Sequence, residues 1–124
     1  MLIVEDDVRN VYSLTSVLEP RGVIAKIARN GQEALDMLGA DADGTENRID
    51  LVLMDVMMPV MDGLTAVRAI RSNPKWAKLP VIMLTAKAMP DDQQNCLDAG
   101  ANDYMAKPID VDKLLSLVRV WMPR

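Results

Sequence analysis

The residues of this chain that could do chemistry stand where short apolar runs stop. Leu2-Ile3-Val4 ends at Glu5-Asp6-Asp7, Leu51-Val52-Leu53-Met54 at Asp55, Val81-Ile82-Met83-Leu84 at Thr85, and Tyr104-Met105-Ala106 at Lys107-Pro108. An apolar run without alternation reads as a strand buried on both faces, as in a parallel sheet covered by helices. In open α/β sheets, ligands bind at the carboxyl edge. Carboxylates gathered there repel: two charges ~5 Å apart at an effective dielectric of about 20 cost roughly 3 kcal/mol. A hard divalent cation relieves the repulsion. The chain has no His, and Cys96 is its one cysteine. Ligands would therefore be oxygens, a set that suits Mg²⁺ better than zinc. Mg²⁺ favours phosphate, Lys107 offers an ammonium, Thr85 a hydroxyl, and Asp55 a nucleophilic carboxylate. Together they describe a phosphoryl-transfer site. Taken singly, each has a blander use as a solvated cap, a β-branched filler or a surface lysine. Their joint placement at four strand ends carries the functional reading.

Alternating strands and helices must position these groups. After the first strand, Val11, Leu14, Val17 and Leu18 repeat at helical spacing until Pro20 and Gly22 break the pattern. A second strand is expected within Val23–Ala28. Asn30 then caps a helix with Glu33 three residues on, whose buried side is Ala34, Leu35 and Leu38. Gly39 to Arg48 is polar and aperiodic and reads as a loop. The central strand ends at Asp55, Asp62-Gly63 signals a turn, and Leu64, Val67 and Ile70 form the next helix face. Ser72-Asn73-Pro74 closes that helix, and Trp76 falls in the linker. Pro90-Asp91-Asp92 opens a fourth helix with only Cys96 and Leu97 as clear apolar residues, so it should be the most loosely held. Gly100 suits its end. Asp110 caps a fifth helix with the face Val111, Leu114, Leu115, Val118 and Met122. Five strand–helix units predict a parallel sheet with right-handed crossovers and helices on both faces.

Bulk properties bound the function. The chain has 124 residues, half of them hydrophobic, enough for one domain over 1–124. No apolar run approaches the roughly 20 residues of a membrane span, and neither a signal peptide nor membrane contact is expected. The net charge of −4 argues against direct nucleic-acid binding. A lone cysteine fits a reducing, cytoplasmic setting. The ten Met residues read as core filling. The strand that begins almost at residue 1 reads as the start of a fragment or a trimmed chain.

LIVEDD, LVLMDVMMPVMDG, PVIMLTA and AGANDYMAKP, spaced in this order over nearly the whole chain, resemble the response-regulator receiver domains of two-component and phosphorelay signalling. The resemblance implies a flavodoxin-like (βα)5 three-layer sandwich with strand order 2-1-3-4-5. It implies that Asp55 accepts a phosphoryl group from a phosphohistidine on a histidine kinase or histidine phosphotransfer domain. Asp6 would ligate Mg²⁺ directly, Glu5 through water, and Asp55 and the Met57 backbone carbonyl would complete the protein ligands, with Mn²⁺ as a substitute ion. Thr85 and Lys107 would bind phosphoryl oxygens, Lys107-Pro108 would be a cis peptide, and Asp7 would be a cap or solvated. Tyr104 would swing inward when Thr85 moves, switching the surface of the fourth helix, fifth strand and fifth helix, through which a homodimer could form. Lys87, two residues past Thr85, could also matter. Such a domain catalyses its own phosphorylation and dephosphorylation without being a turnover enzyme. Met57, being apolar, cannot hold an attacking water, which predicts slow loss of phosphate. The Asp-Val-Arg-Asn-Val run at 7–11 is similar to receivers of hybrid histidine kinases, whose parent would be the enzyme.

Three other functions fit less well. A haloacid-dehalogenase-type phosphatase needs an acid two residues after its nucleophile, where this chain has Met57. A flavin binder needs a phosphate-cradling loop and more aromatics. A receiver-shaped module without phosphorylation would normally have lost an acid, the Thr or the Lys.

Overall fold

The computed structural model describes residues 1–22, 25–40, 49, 51–56, 61, 63–85, 90–106 and 110–121. Five strands and five helices alternate: β1 (Leu2–Val4), α1 (Val8–Leu18), β2 (Lys26–Ala28), α2 (Gly31–Ala40), β3 (Val52–Asp55), α3 (Gly63–Ser72), β4 (Val81–Thr85), α4 (Pro90–Ala99), β5 (Asp103–Ala106) and α5 (Val111–Trp121). All strand pairs are parallel and their order is β2-β1-β3-β4-β5, a flavodoxin-like arrangement. The order reverses between β1 and β3, where Val4 lies beside Met54.

Strand side chains alternate between two cores, as the period of two requires. Leu2, Val4, Val52, Met54, Val81 and Met83 join Ala34, Leu38, Ala66, Val67, Ile70, Cys96 and Ala99 on the face covered by α2, α3 and α4. Ile3, Leu53, Ile82, Leu84 and Met105 join Leu14, Leu18, Leu114 and Val118 on the face covered by α1 and α5. β1, β3 and β4 are buried on both faces, which is why they read as continuous apolar runs. Each fully buried Leu or Ile contributes about 1.5–3 kcal/mol of transfer free energy.

The helix starts follow from capping chemistry. The Asp7 carboxylate accepts the Arg9 amide at 2.9 Å, Asn30 Oδ1 accepts the Glu33 amide at 2.9 Å, and Asp110 Oδ1 accepts the Lys113 amide at 3.2 Å. Asp7 is therefore a cap, and it also pairs with Arg9.

Several local expectations need correction. Helix α2 continues through Gly39 to Ala40, because an exposed helical glycine costs only about 1 kcal/mol relative to alanine; residues 41–48 lie outside the described residues. Asp55 ends β3 as expected, in register with Leu84. Val111, expected on the buried face of α5, is exposed at the start of the helix. The anchors of α4 are Cys96 and Ala99. Val23 and Met122 lie outside the described residues.

Candidate functional site

Strand β3 delivers Asp55 to the carboxyl edge of the sheet, and β1, its neighbour, delivers Glu5 and Asp6 immediately beyond its own end. One carboxylate oxygen from each of the three acids lies within 4.8 Å of the others. Asp55 is 4% exposed and Glu5 1%, whereas Asp6 is exposed. Two of the three acids are thus buried and the third meets solvent. The Glu5 carboxylate also accepts the Asp7 amide at 3.1 Å, which ties it to the start of α1.

Three like charges at this separation oppose one another by several kcal/mol at protein dielectric. An oxygen-only set of this size fits a hard divalent cation such as Mg²⁺, which would neutralise the acids and leave coordination positions for solvent or phosphate. Glu5, Asp6 and Asp55 are the residues that would hold it.

Thr85 ends β4 and is buried, one residue beyond the Leu84 that stands beside Asp55. Tyr104 lies on β5 in register with Met83. By strand parity Thr85 and Tyr104 share the sheet face covered by α2–α4, and Tyr104 is half-buried against that core. Thus Glu5, Asp6 and Asp55 come together, with Thr85 at the adjacent strand end. Met57, Lys87, Lys107 and Pro108 lie outside the described residues.

Two features had no strong sequence signal. Gly63, legible only as a turn residue, is the first residue of α3 and lies against the Asp55 backbone. The Asp62-Gly63 pair that follows the central strand in sequence was the available hint. Arg71 Nε donates to Gly100 O at 2.8 Å, one terminal nitrogen to Trp76 O at 2.9 Å, and the other to Asn102 Oδ1 at 2.7 Å. Burial holds its pKa below the ordinary arginine value. Nothing in the local pattern distinguishes it from a surface arginine.

The response regulator receiver domain model matches residues 1–119. The chain belongs to the response regulator receiver domain family. It is 38% identical over 124 residues to the response regulator MprA of Mycolicibacterium vanbaalenii, covering 100% of this chain and 50% of that protein. This receiver thus spans about half the length of that relative. Among solved structures, it superposes with the signal receiver domain of a signal transduction histidine kinase from Syntrophus aciditrophicus at a TM-score of 0.84, with 36% identity over 97% of this chain and 86% of that one. It matches the receiver domain of the sensor histidine kinase PA1611 from Pseudomonas aeruginosa at a TM-score of 0.82, with 35% identity over 97% of this chain and 93% of that one. The latter structure holds a magnesium ion coordinated in its active site cleft. This receiver is therefore a two-component signalling domain, of a family that phosphorylates and dephosphorylates itself and whose partner is in general a histidine kinase or phosphotransfer protein. Among the described residues, no helix is long and apolar enough to cross a membrane.

Proposed function

We propose that this chain is a single receiver domain that takes a phosphoryl group from a phosphohistidine onto Asp55 in a Mg²⁺-dependent step. The observation that carries the reading is the convergence of three carboxylates from two neighbouring strands within 4.8 Å, with Asp55 at the buried strand end. The Asp55 carboxylate oxygen attacks phosphorus, the phosphorus–nitrogen bond of the donor breaks, and the imidazole leaves with the electron pair and takes up a proton. Mg²⁺, when bound by Glu5, Asp6, Asp55 and the Met57 carbonyl, supplies charge neutralisation at the transferring oxygens. Lys107 and Thr85 donate to those oxygens.

Phosphorylation adds about −1.5 to −2 charge at Asp55. Thr85 and Lys107 gain by moving toward that charge, and Tyr104, on the same face as Thr85, follows. This biases two pre-existing arrangements of the α4-β5-α5 surface, through which a homodimer can also form. We assign the domain a cytoplasmic location without direct nucleic-acid or membrane contact. The similarity to two histidine-kinase receivers favours a hybrid kinase as the parent chain, with the enzyme activity residing elsewhere in it.

The test is labelling by a small phosphodonor, acetyl phosphate, with Mg²⁺. The wild type incorporates phosphate, and Asp55→Ala incorporates none while keeping its circular dichroism spectrum. Undiminished labelling of the variant would overturn the assignment. In the labelled protein, Met57→Asn should speed loss of phosphate roughly tenfold or more, the scale of a general-acid–base or water-positioning contribution. Equal decay rates would remove Met57 as the cause of slow hydrolysis.

A further inference from the structure

Gly63 opens α3 in contact with the backbone of the proposed acceptor. A Cβ built there would overlap the Asp55 carbonyl oxygen and fall 3.0 Å from the Asp55 carbonyl carbon and 2.8 Å from Met83 Cε. Real Cβ atoms essentially never approach other atoms closer than 3.0 Å. The Met83 methyl is the end of a flexible side chain and can turn aside. The Asp55 peptide has no such freedom, because it belongs to a central strand. The Gly63 amide donates to Val56 O at 2.9 Å, and the Val56 amide donates to Leu84 O at 3.0 Å. The residue after Asp55 is thus clamped between the first turn of α3 and β4.

We propose that Gly63 is a positioning residue for Asp55. Its missing side chain lets α3 seat on the Asp55 peptide, and that seating sets where the carboxylate stands relative to Glu5 and Asp6. The proposal rests on the reading of these three acids as a Mg²⁺ site. Mg²⁺ demands near-octahedral geometry at ligand distances of about 2.0–2.1 Å, so it is intolerant of a displaced ligand. Any substitution that pushes the Asp55 carbonyl away from α3 moves the acid by an amount that matters to that ion. A purely architectural Gly63 would affect stability alone. Coupling between two sites is also reciprocal. If the Gly63 contact favours Mg²⁺ binding, Mg²⁺ must in turn favour the Gly63 contact.

The experiment titrates Mg²⁺ calorimetrically into the wild type, into Gly63→Ala, and into Leu114→Ala, a buried core variant on the opposite helix layer. The expected result is Mg²⁺ binding by the wild type, affinity lowered tenfold or more in Gly63→Ala, and affinity within twofold of wild type in Leu114→Ala. Wild-type affinity in Gly63→Ala overturns the positioning role while leaving the Mg²⁺ site standing. Absence of Mg²⁺ binding to the wild type overturns both. A second measurement needs no variant to fold. In the wild type, saturating Mg²⁺ should slow hydrogen exchange at the Gly63 amide more than at the Val118 amide in α5. Equal slowing at the two positions overturns the proposal.

Discussion

The two edges of the sheet use charge in opposite ways. At the carboxyl edge, Glu5, Asp6 and Asp55 are held within 4.8 Å of one another, with two of the three buried. At the amino edge, near the start of β4, one cation is surrounded by neutral oxygens. Arg71 reaches from the last turn of α3 to Gly100 O, Trp76 O and Asn102 Oδ1, and Asn102 Oδ1 also accepts the Val81 amide at 2.9 Å. Gly100 itself has φ +115°, and a Cβ there would fall 2.6 Å from Arg71 Cγ, so glycine serves both the turn and the arginine stem. The first arrangement gathers acidic oxygens at a spacing that could hold a metal ion. The second spends its donors on the protein's own carbonyl oxygens. Crowded like charge at a strand end marks a place to bind; a cation saturated by carbonyls marks a place that holds the fold.

The sharpest way to break this comparison is to disturb the amino edge. Arg71→Ala removes charge-assisted hydrogen bonds to two loops and a side chain, and should cost about 2–3 kcal/mol in urea unfolding. Phosphoryl labelling of the folded fraction should be retained. Lost labelling at unchanged stability would assign Arg71 to the site instead. The carboxyl edge should respond to metal. At ten times its dissociation constant, Mg²⁺ should raise stability by about 1.4 kcal/mol, and Asp55→Ala should erase that increment. An equal increment in the variant would mean that the ion binds elsewhere. The smallest effect refines the contrast within one edge. Asn30 caps α2 at the carboxyl side of β2, and Asn30→Ala should cost about 1 kcal/mol with no change in Mg²⁺ affinity. A changed affinity would show that polar groups at that edge cannot be divided between fold and site.

Much of this was legible in the chain itself. The apolar runs announced β1, β3 and β4 because their residues are buried on both faces and needed no alternation. Asp7, Asn30 and Asp110 announced helix starts because capping is local chemistry, settled within three residues. Other features were out of reach. The amphipathic pattern put Val111 on the buried face, yet it is exposed, since a helix's rotation on the sheet depends on all its contacts together. Gly39 read as a loop, yet it is helical, because a modest propensity cost yields to packing on either side. Arg71 looked like any surface arginine, since its partners lie up to 31 residues away.

The sequence by itself determined which groups stand at strand ends, because strand burial and helix capping are written in neighbouring residues. It also carried the family, because spaced motifs survive as residue types. Only the tertiary structure decided that Glu5, Asp6 and Asp55 meet within 4.8 Å, that Gly63 seats against the Asp55 peptide, and that Arg71 ties α3 to the turn before β5. Those contacts join segments far apart in the chain, and their distances follow from how the helices pack on the twisted sheet. No local pattern encodes that packing.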